Sequence, residues 1–211
     1  MGKLKKLTHL ALVAWIAAGV SGAAEKNGEL PNGLYAIFTT SEGVFTARLY
    51  EKYTPKSVEN FVGLATGTKA WRDPKTGTMV NRPMYDNITF HRILRDMMIQ
   101  SGDPTATSAH NCGFTIPDEF LIGLTFNTGG KLAVANSGQP NSGACQFFIT
   151  TGPVTQWNQM YTIFGEVVSG MPVVLAINHG QLIGDKPVNP ARLISVVIQR
   201  VGPEPKGKGK K

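Results

Sequence analysis

Short apolar runs, each closed off by Gly, Asn or Pro, recur along the chain at 88–94, 97–101, 131–135, 146–150, 162–168 and 193–201. Runs of that length and even spacing mark an all-β sandwich or barrel, because strands bury short stretches and turns need those punctuating residues. Two more strands precede them, at 34–40 and 44–50. Phe45, Ala47 and Leu49 alternate with Thr46 and Arg48, so one face is apolar. Ser41-Glu42-Gly43 between them reads as a hairpin turn.

Two helices interrupt this pattern. Thr54 is a candidate cap, Pro55 suits a first helical position, and Val58, Phe61, Val62 and Ala65 form one apolar stripe that Gly67 ends. A second helix is expected over 171–178, with Pro172 near its start and Gly180 beyond its end. Residues 68–83 read as a loop. About eight strands and two capping helices fit a closed barrel, which has no free sheet edge.

The termini differ in character from this body. Lys3, Lys5 and Lys6 precede an uncharged apolar stretch, Leu10 to Val20, and then the small residues Ser21-Gly22-Ala23-Ala24. That order is the pattern of a secretory signal peptide over 1–24, cleaved after Ala23 or Ala24. The apolar stretch is short of the roughly 20 residues that a membrane span needs, so no stable membrane insertion is expected once it is removed. Residues 25–33 read as a linker, 34–202 as one domain, and 203–211 (PEPKGKGKK) as a basic disordered tail. The location expected is therefore exported, periplasmic or secreted.

The formal net charge of +7 does not imply nucleic acid, since seven of the 21 Lys and Arg residues lie in the leader and the tail. The body is nearly neutral and lacks the clustered cations that a phosphate-binding face requires. Cys112 and Cys145 are the only cysteines. In an exported chain an even count is compatible with one disulfide. Two unrelated buried thiols, or ligands alongside His110, are the alternatives. The latter has too few partners for a closed metal site.

From Tyr85 onward the chain resembles the cyclophilins. Tyr85-Asp86-Asn87-Ile88-Thr89-Phe90-His91-Arg92 is similar to the family's segment ending in Phe-His-Arg. Met97 to Pro104 (MMIQSGDP), Ala133 to Gly138 (AVANSG), Gln146 to Thr150 (QFFIT) and Thr162 to Met171 (TIFGEVVSGM) resemble four further family segments in the same order. The resemblance covers roughly residues 34–201. It implies an eight-stranded antiparallel barrel capped by two α-helices, with an active groove on its outer face. The implied activity is peptidyl-prolyl cis/trans isomerisation, without a cofactor, on proline-containing polypeptides, by a monomer.

The resemblance also assigns roles. Arg92 matches the family's catalytic arginine, and Gln100 would orient it and bond the substrate backbone. Met97, Met98, Phe148 and Trp157 would line an apolar socket for the proline ring, with Tyr161 at its edge. Ala135, Asn136 and Gln146 would hold the residue before the proline. His91 is expected to be structural, because rotation about an amide needs no proton transfer. A cysteine hydrolase built on Cys145 with His91 or His110 lacks any orienting arrangement. Met97 stands where the family usually has Phe, and Gln139 looks like an insertion. Residues 105–113 (TATSAHNCG) replace a glycine-rich run. In the family both loops border the pocket beside the proline site, and Cys112 and Cys145 fall in them. A bridge between them would tie the loops together.

Overall fold

The computed structural model describes residues 30–204. The leader, most of the expected linker and nearly all of the basic tail lie outside them. Thirteen strands and two helices follow in chain order. The first part comprises β1 (Gly33–Thr40), β2 (Gly43–Leu49), α1 (Pro55–Thr66), β3 (Trp71–Arg72) and β4 (Met79–Val80). The middle holds β5 (Ile88–Thr89), β6 (Arg92–Leu94), β7 (Met98–Ser101), β8 (Lys131–Val134) and β9 (Phe147–Thr150). The last part comprises β10 (Ile163–Ser169), α2 (Met171–Asn178), β11 (Leu182–Ile183), β12 (Lys186–Pro187) and β13 (Arg192–Val201).

Nine of the strands form one antiparallel sheet in the order β5-β13-β1-β2-β10-β8-β9-β7-β6. The expected strand over 88–94 is split in two, so the sheet has nine segments rather than eight. Its two outermost strands, β5 and β6, are consecutive in the chain and are separated only by Phe90 and His91. The Phe90 N–H bonds the Ala191 carbonyl on one side, and the His91 N–H bonds the Gln100 carbonyl on the other. The sheet therefore curls until its ends meet through the covalent chain at Phe90-His91, not through hydrogen bonds between β5 and β6. A continuous apolar run carries no sign of that break.

Side-chain alternation sorts the apolar residues into two clusters, because successive strand residues face opposite ways. Ile93, Ile99, Leu132, Val134, Phe147, Ile149 and Phe164 point inward and join Phe38, Phe45 and Phe61 in the main core. Met98, Ala133, Phe148 and Ile163 point outward and form a second cluster with Phe126 and Val154. A barrel wall that is greasy on both faces is unusual for a surface, and the outer patch is where the site lies.

Both expected helices form and pack on the curled sheet, α1 against β13 and α2 against β2 and β7. Val58, Phe61, Leu64 and Ala65 of α1 are buried, and the Phe61 ring lies 5.5 Å edge-on to Phe147. Gly67 ends α1 at φ 76°, a left-handed conformation that glycine adopts without strain. Thr54 makes no side-chain cap bond. Instead Glu119 accepts from the Lys56 and Ser57 N–H groups, so a distant carboxylate does the work of the cap. The stretch 68–83 is more ordered than a loop: β3 and β4 pair, and buried Trp71 bonds the Arg82 carbonyl. No helix among the described residues is long and apolar enough to cross a membrane.

Candidate active site

The outward faces of β6, β7, β9 and β8 align by register. Arg92 pairs with Gln100, Gln100 with Phe148, and Phe148 with Ala133. One row across four strands thus runs from a cation through an amide to an aromatic ring. This row borders an open groove of about 720 Å³. Arg92, Gln100, Met98, Phe148, Ala135, Asn136, Gln146, Trp157 and Tyr161 all line it. Met97 does not. It sits in the β6–β7 turn, packed against the outer cluster, and Leu94 takes the lining position beside Met98.

The apolar end is a box of aromatic edges. Phe148, 3% exposed, meets Trp157 at 5.5 Å and Tyr161 at 5.1 Å, both nearly perpendicular. Phe126 stacks behind Phe148 at 5.9 Å. Edge-to-face contacts fix ring orientation as well as burying area, so the Phe148 face is presented to the groove by three neighbours. Met98 completes the floor, 2% exposed.

The polar end is a chain of hydrogen bonds. Arg92 Nη1 donates to Gln100 Oε1 at 3.2 Å, Gln100 Nε2 donates to Gln146 Oε1 at 2.8 Å, and Gln146 Nε2 donates to the Ser108 carbonyl at 3.1 Å. Each amide both accepts and donates, which fixes its flip and passes orientation along the row. The Asn136 side chain is already occupied, donating to the Met160 carbonyl of the segment before β10 and accepting from the Gly138 N–H of its own loop. Contact with a substrate at this position therefore falls to the backbone.

The segment 103–113 walls the groove on the Ser108 side. It wraps around Asp103, whose carboxylate accepts from the Thr105 N–H, the Thr105 hydroxyl and the His110 N–H. Burial opposes the charge on Asp103, yet these bonds outweigh it and hold the carboxyl below its usual range. Gly102 has φ 92°, and a Cβ there would strike the Cys145 carbonyl, so only glycine lets the two segments approach this closely. Cys112 and Cys145 are bonded, with Cα atoms 6.3 Å apart, inside the usual range for a bridge. His110 lies beside both sulfurs, but sulfurs joined to each other are not thiolate ligands.

Burial lowers the pKa of His91, with Asp103 acting in the opposite sense. The folded value lies below the ordinary one, so the imidazole is neutral at and above pH 7. His91 is therefore not a base that gains or loses a proton between pH 7 and 9. A kcat/KM profile is expected to be flat over that interval, and a bell centred within it would reveal a proton-transfer step.

Two further side chains bond to the strands and side chains of the site without any signal in the sequence. Asn178, fully buried at the end of α2, donates to the Leu94 and Met98 carbonyls and accepts from the Asp96 N–H. It thereby holds the turn that carries Leu94, Met97 and Met98. Asp185, in the turn between β11 and β12, accepts from Arg92 Nε at 2.8 Å. Neither stands near its partners in sequence, and a pair of two-residue strands has no periodicity to read.

A family model described as cyclophilin type peptidyl-prolyl cis-trans isomerase matches residues 35–198. The chain belongs to the cyclophilin family. It is 39% identical over 166 residues to the peptidyl-prolyl cis-trans isomerase A of Mycobacterium tuberculosis, covering 77% of this chain and 91% of that protein. It is 38% identical over 170 residues to the peptidyl-prolyl cis-trans isomerase B of Streptomyces anulatus, covering 79% and 97%. Its fold matches a cyclophilin type isomerase from Cryptosporidium parvum with a TM-score of 0.68 and 26% identity, over 80% of this chain and 98% of the other. The same Cryptosporidium cyclophilin was also solved in the presence of the dipeptide Ala-Pro, with a TM-score of 0.68 and 27% identity.

Proposed function

We propose that this cyclophilin accelerates cis/trans rotation of X–Pro bonds in exported polypeptides and so assists their folding. The observation that carries the reading is the Arg92–Gln100–Phe148 row: a fixed cation at one end of an apolar socket, on one face of one sheet. An X–Pro amide resists rotation through its partial double bond, with a barrier of ~18–20 kcal/mol. Halfway round, the resonance is lost and the nitrogen lone pair is localised. A donor poised at that nitrogen binds the twisted form more tightly than either planar one, which is the condition for catalysis.

Arg92 supplies that donor. Phe148, Met98 and Leu94 take the proline ring, with Trp157 and Tyr161 as walls. The Ala135 and Asn136 backbone and the Gln146 side hold the residue before the proline, in the manner of an added strand. No bond to the protein is made or broken, and no proton moves. The leader pattern over 1–24 supports export, and a Cys112–Cys145 bridge is a feature of chains that fold in oxidising compartments.

An isomerisation assay of residues 25–211 on short peptides with varied residues before proline tests the activity. Acceleration is expected. Peptide binding without acceleration would select a holding module instead. N-terminal sequencing of the exported protein tests the leader, and a chain starting at Met1 would overturn that part.

A further inference from the structure

Of the two side chains that hydrogen-bond Arg92, Asp185 makes the shorter contact. Its Oδ2 lies 2.8 Å from Arg92 Nε, against 3.2 Å for the Gln100 contact at Nη1. The turn that carries it is pinned, because the Ile93 N–H donates to the Asp185 carbonyl at 2.8 Å. Asp185 is thus held by main chain to the residue that follows Arg92, while its side chain grips the arginine itself. Gly184, at φ 64°, makes the turn that aims it.

Stability does not account for this arrangement. The Arg92 and Asp185 side chains are 39% and 44% exposed, and ion pairs at such exposure contribute little to folding. Geometry accounts for it better. A guanidinium held by one acceptor swings about that bond. Acceptors on Nε and Nη1 together fix its plane and its tilt. The Nη2 edge then keeps its donors for the groove.

We propose that Asp185 is a positioning residue for Arg92, acting with Gln100 to fix the guanidinium plane so that its remaining N–H groups face the reacting imide. This rests on the isomerase reading of the groove, and it predicts an effect on turnover more than on binding. Misplacing a group by an ångström can cost up to about a hundredfold in rate. Removing one of two anchors is therefore expected to lower kcat about tenfold, with KM within about twofold.

The test is steady-state isomerisation with kcat and KM resolved for wild type, Asp185→Ala, Asp185→Asn, Arg92→Ala and the Asp185→Ala/Arg92→Ala double variant. Asp185→Ala should lose turnover, and Asp185→Asn, which keeps an acceptor oxygen, should recover much of it. In the Arg92→Ala background Asp185→Ala should cost nothing further, because there is no guanidinium left to aim. Wild-type kcat in Asp185→Ala, beside an impaired Arg92→Ala, overturns the inference and spares the isomerase reading. Equal losses in both backgrounds also overturn it. An Arg92→Ala protein of full activity would sink the isomerase mechanism itself.

Discussion

Arg92→Ala is expected to lower kcat/KM for an X–Pro peptide by about ten- to a hundredfold, since a hydrogen bond from a charged group is worth ~1.5–3 kcal/mol and each 1.36 is a decade in rate. The fold should persist. Arg92 sits on the outer face, its one ion pair is to an exposed carboxylate, and pairs of that kind contribute about 0–1 kcal/mol. Circular dichroism and a denaturant midpoint close to wild type, beside the lost turnover, separate a mechanistic effect from unfolding. Arg92→Lys should recover little. A single ammonium cannot reach Asp185 and Gln100 at once while presenting a third donor to the groove. Full activity in either variant would mean that the groove works without its cation, by socket and desolvation alone.

Replacing both Cys112 and Cys145 by Ser is expected to cost the largest share of stability. The bridge spans a sequence separation of 33. Chain-entropy arithmetic for a loop of that size gives about 3–4 kcal/mol at 25 °C. For a domain of this length each kcal/mol shifts Tm by roughly 2–4 °C, so a drop on the order of 10 °C is expected in the calorimeter. Reductant on the wild type should reproduce it. A midpoint indifferent to reductant would show that the cysteines are not bonded in solution. The same change loosens the wall that carries Ser108 and the end of the Gln146 chain. Selectivity for the residue before proline should therefore blur more than turnover on a favoured peptide falls.

The strands that carry the site were legible as short apolar runs closed off by turn residues; β7 and β9 are buried on both faces, so no alternation marks which of their residues face the groove. The family resemblance implies that Arg92, Gln100 and Phe148 share one site, and the strand register brings them into one row. What the chain could not disclose was register. That Arg92 stands opposite Gln100, and Gln100 opposite Phe148, is a property of pairing between strands up to 48 residues apart in this numbering. For the same reason the chain does not separate Met97 from Met98: one position along the β6–β7 turn decides between flank and groove, and Leu94 lines the groove beside Met98. Asn178 and Asp185 act from elements whose local sequence advertises only a helix end and a turn. Thr54 has the residue type of a cap without its bond, because Glu119 had already satisfied the helix N-terminus from across the fold.

A crystal structure with a bound proline peptide would show whether Arg92 faces a proline held in the socket. The proline ring should lie on Phe148 and Met98 between Trp157 and Leu94, with an Arg92 Nη group about 3 Å from the prolyl nitrogen or the preceding carbonyl. Asp185 should remain on Nε. A peptide bound away from this groove, or one seated in it with the Arg92 head group turned to solvent, would mean that Arg92 does not act on the reacting imide.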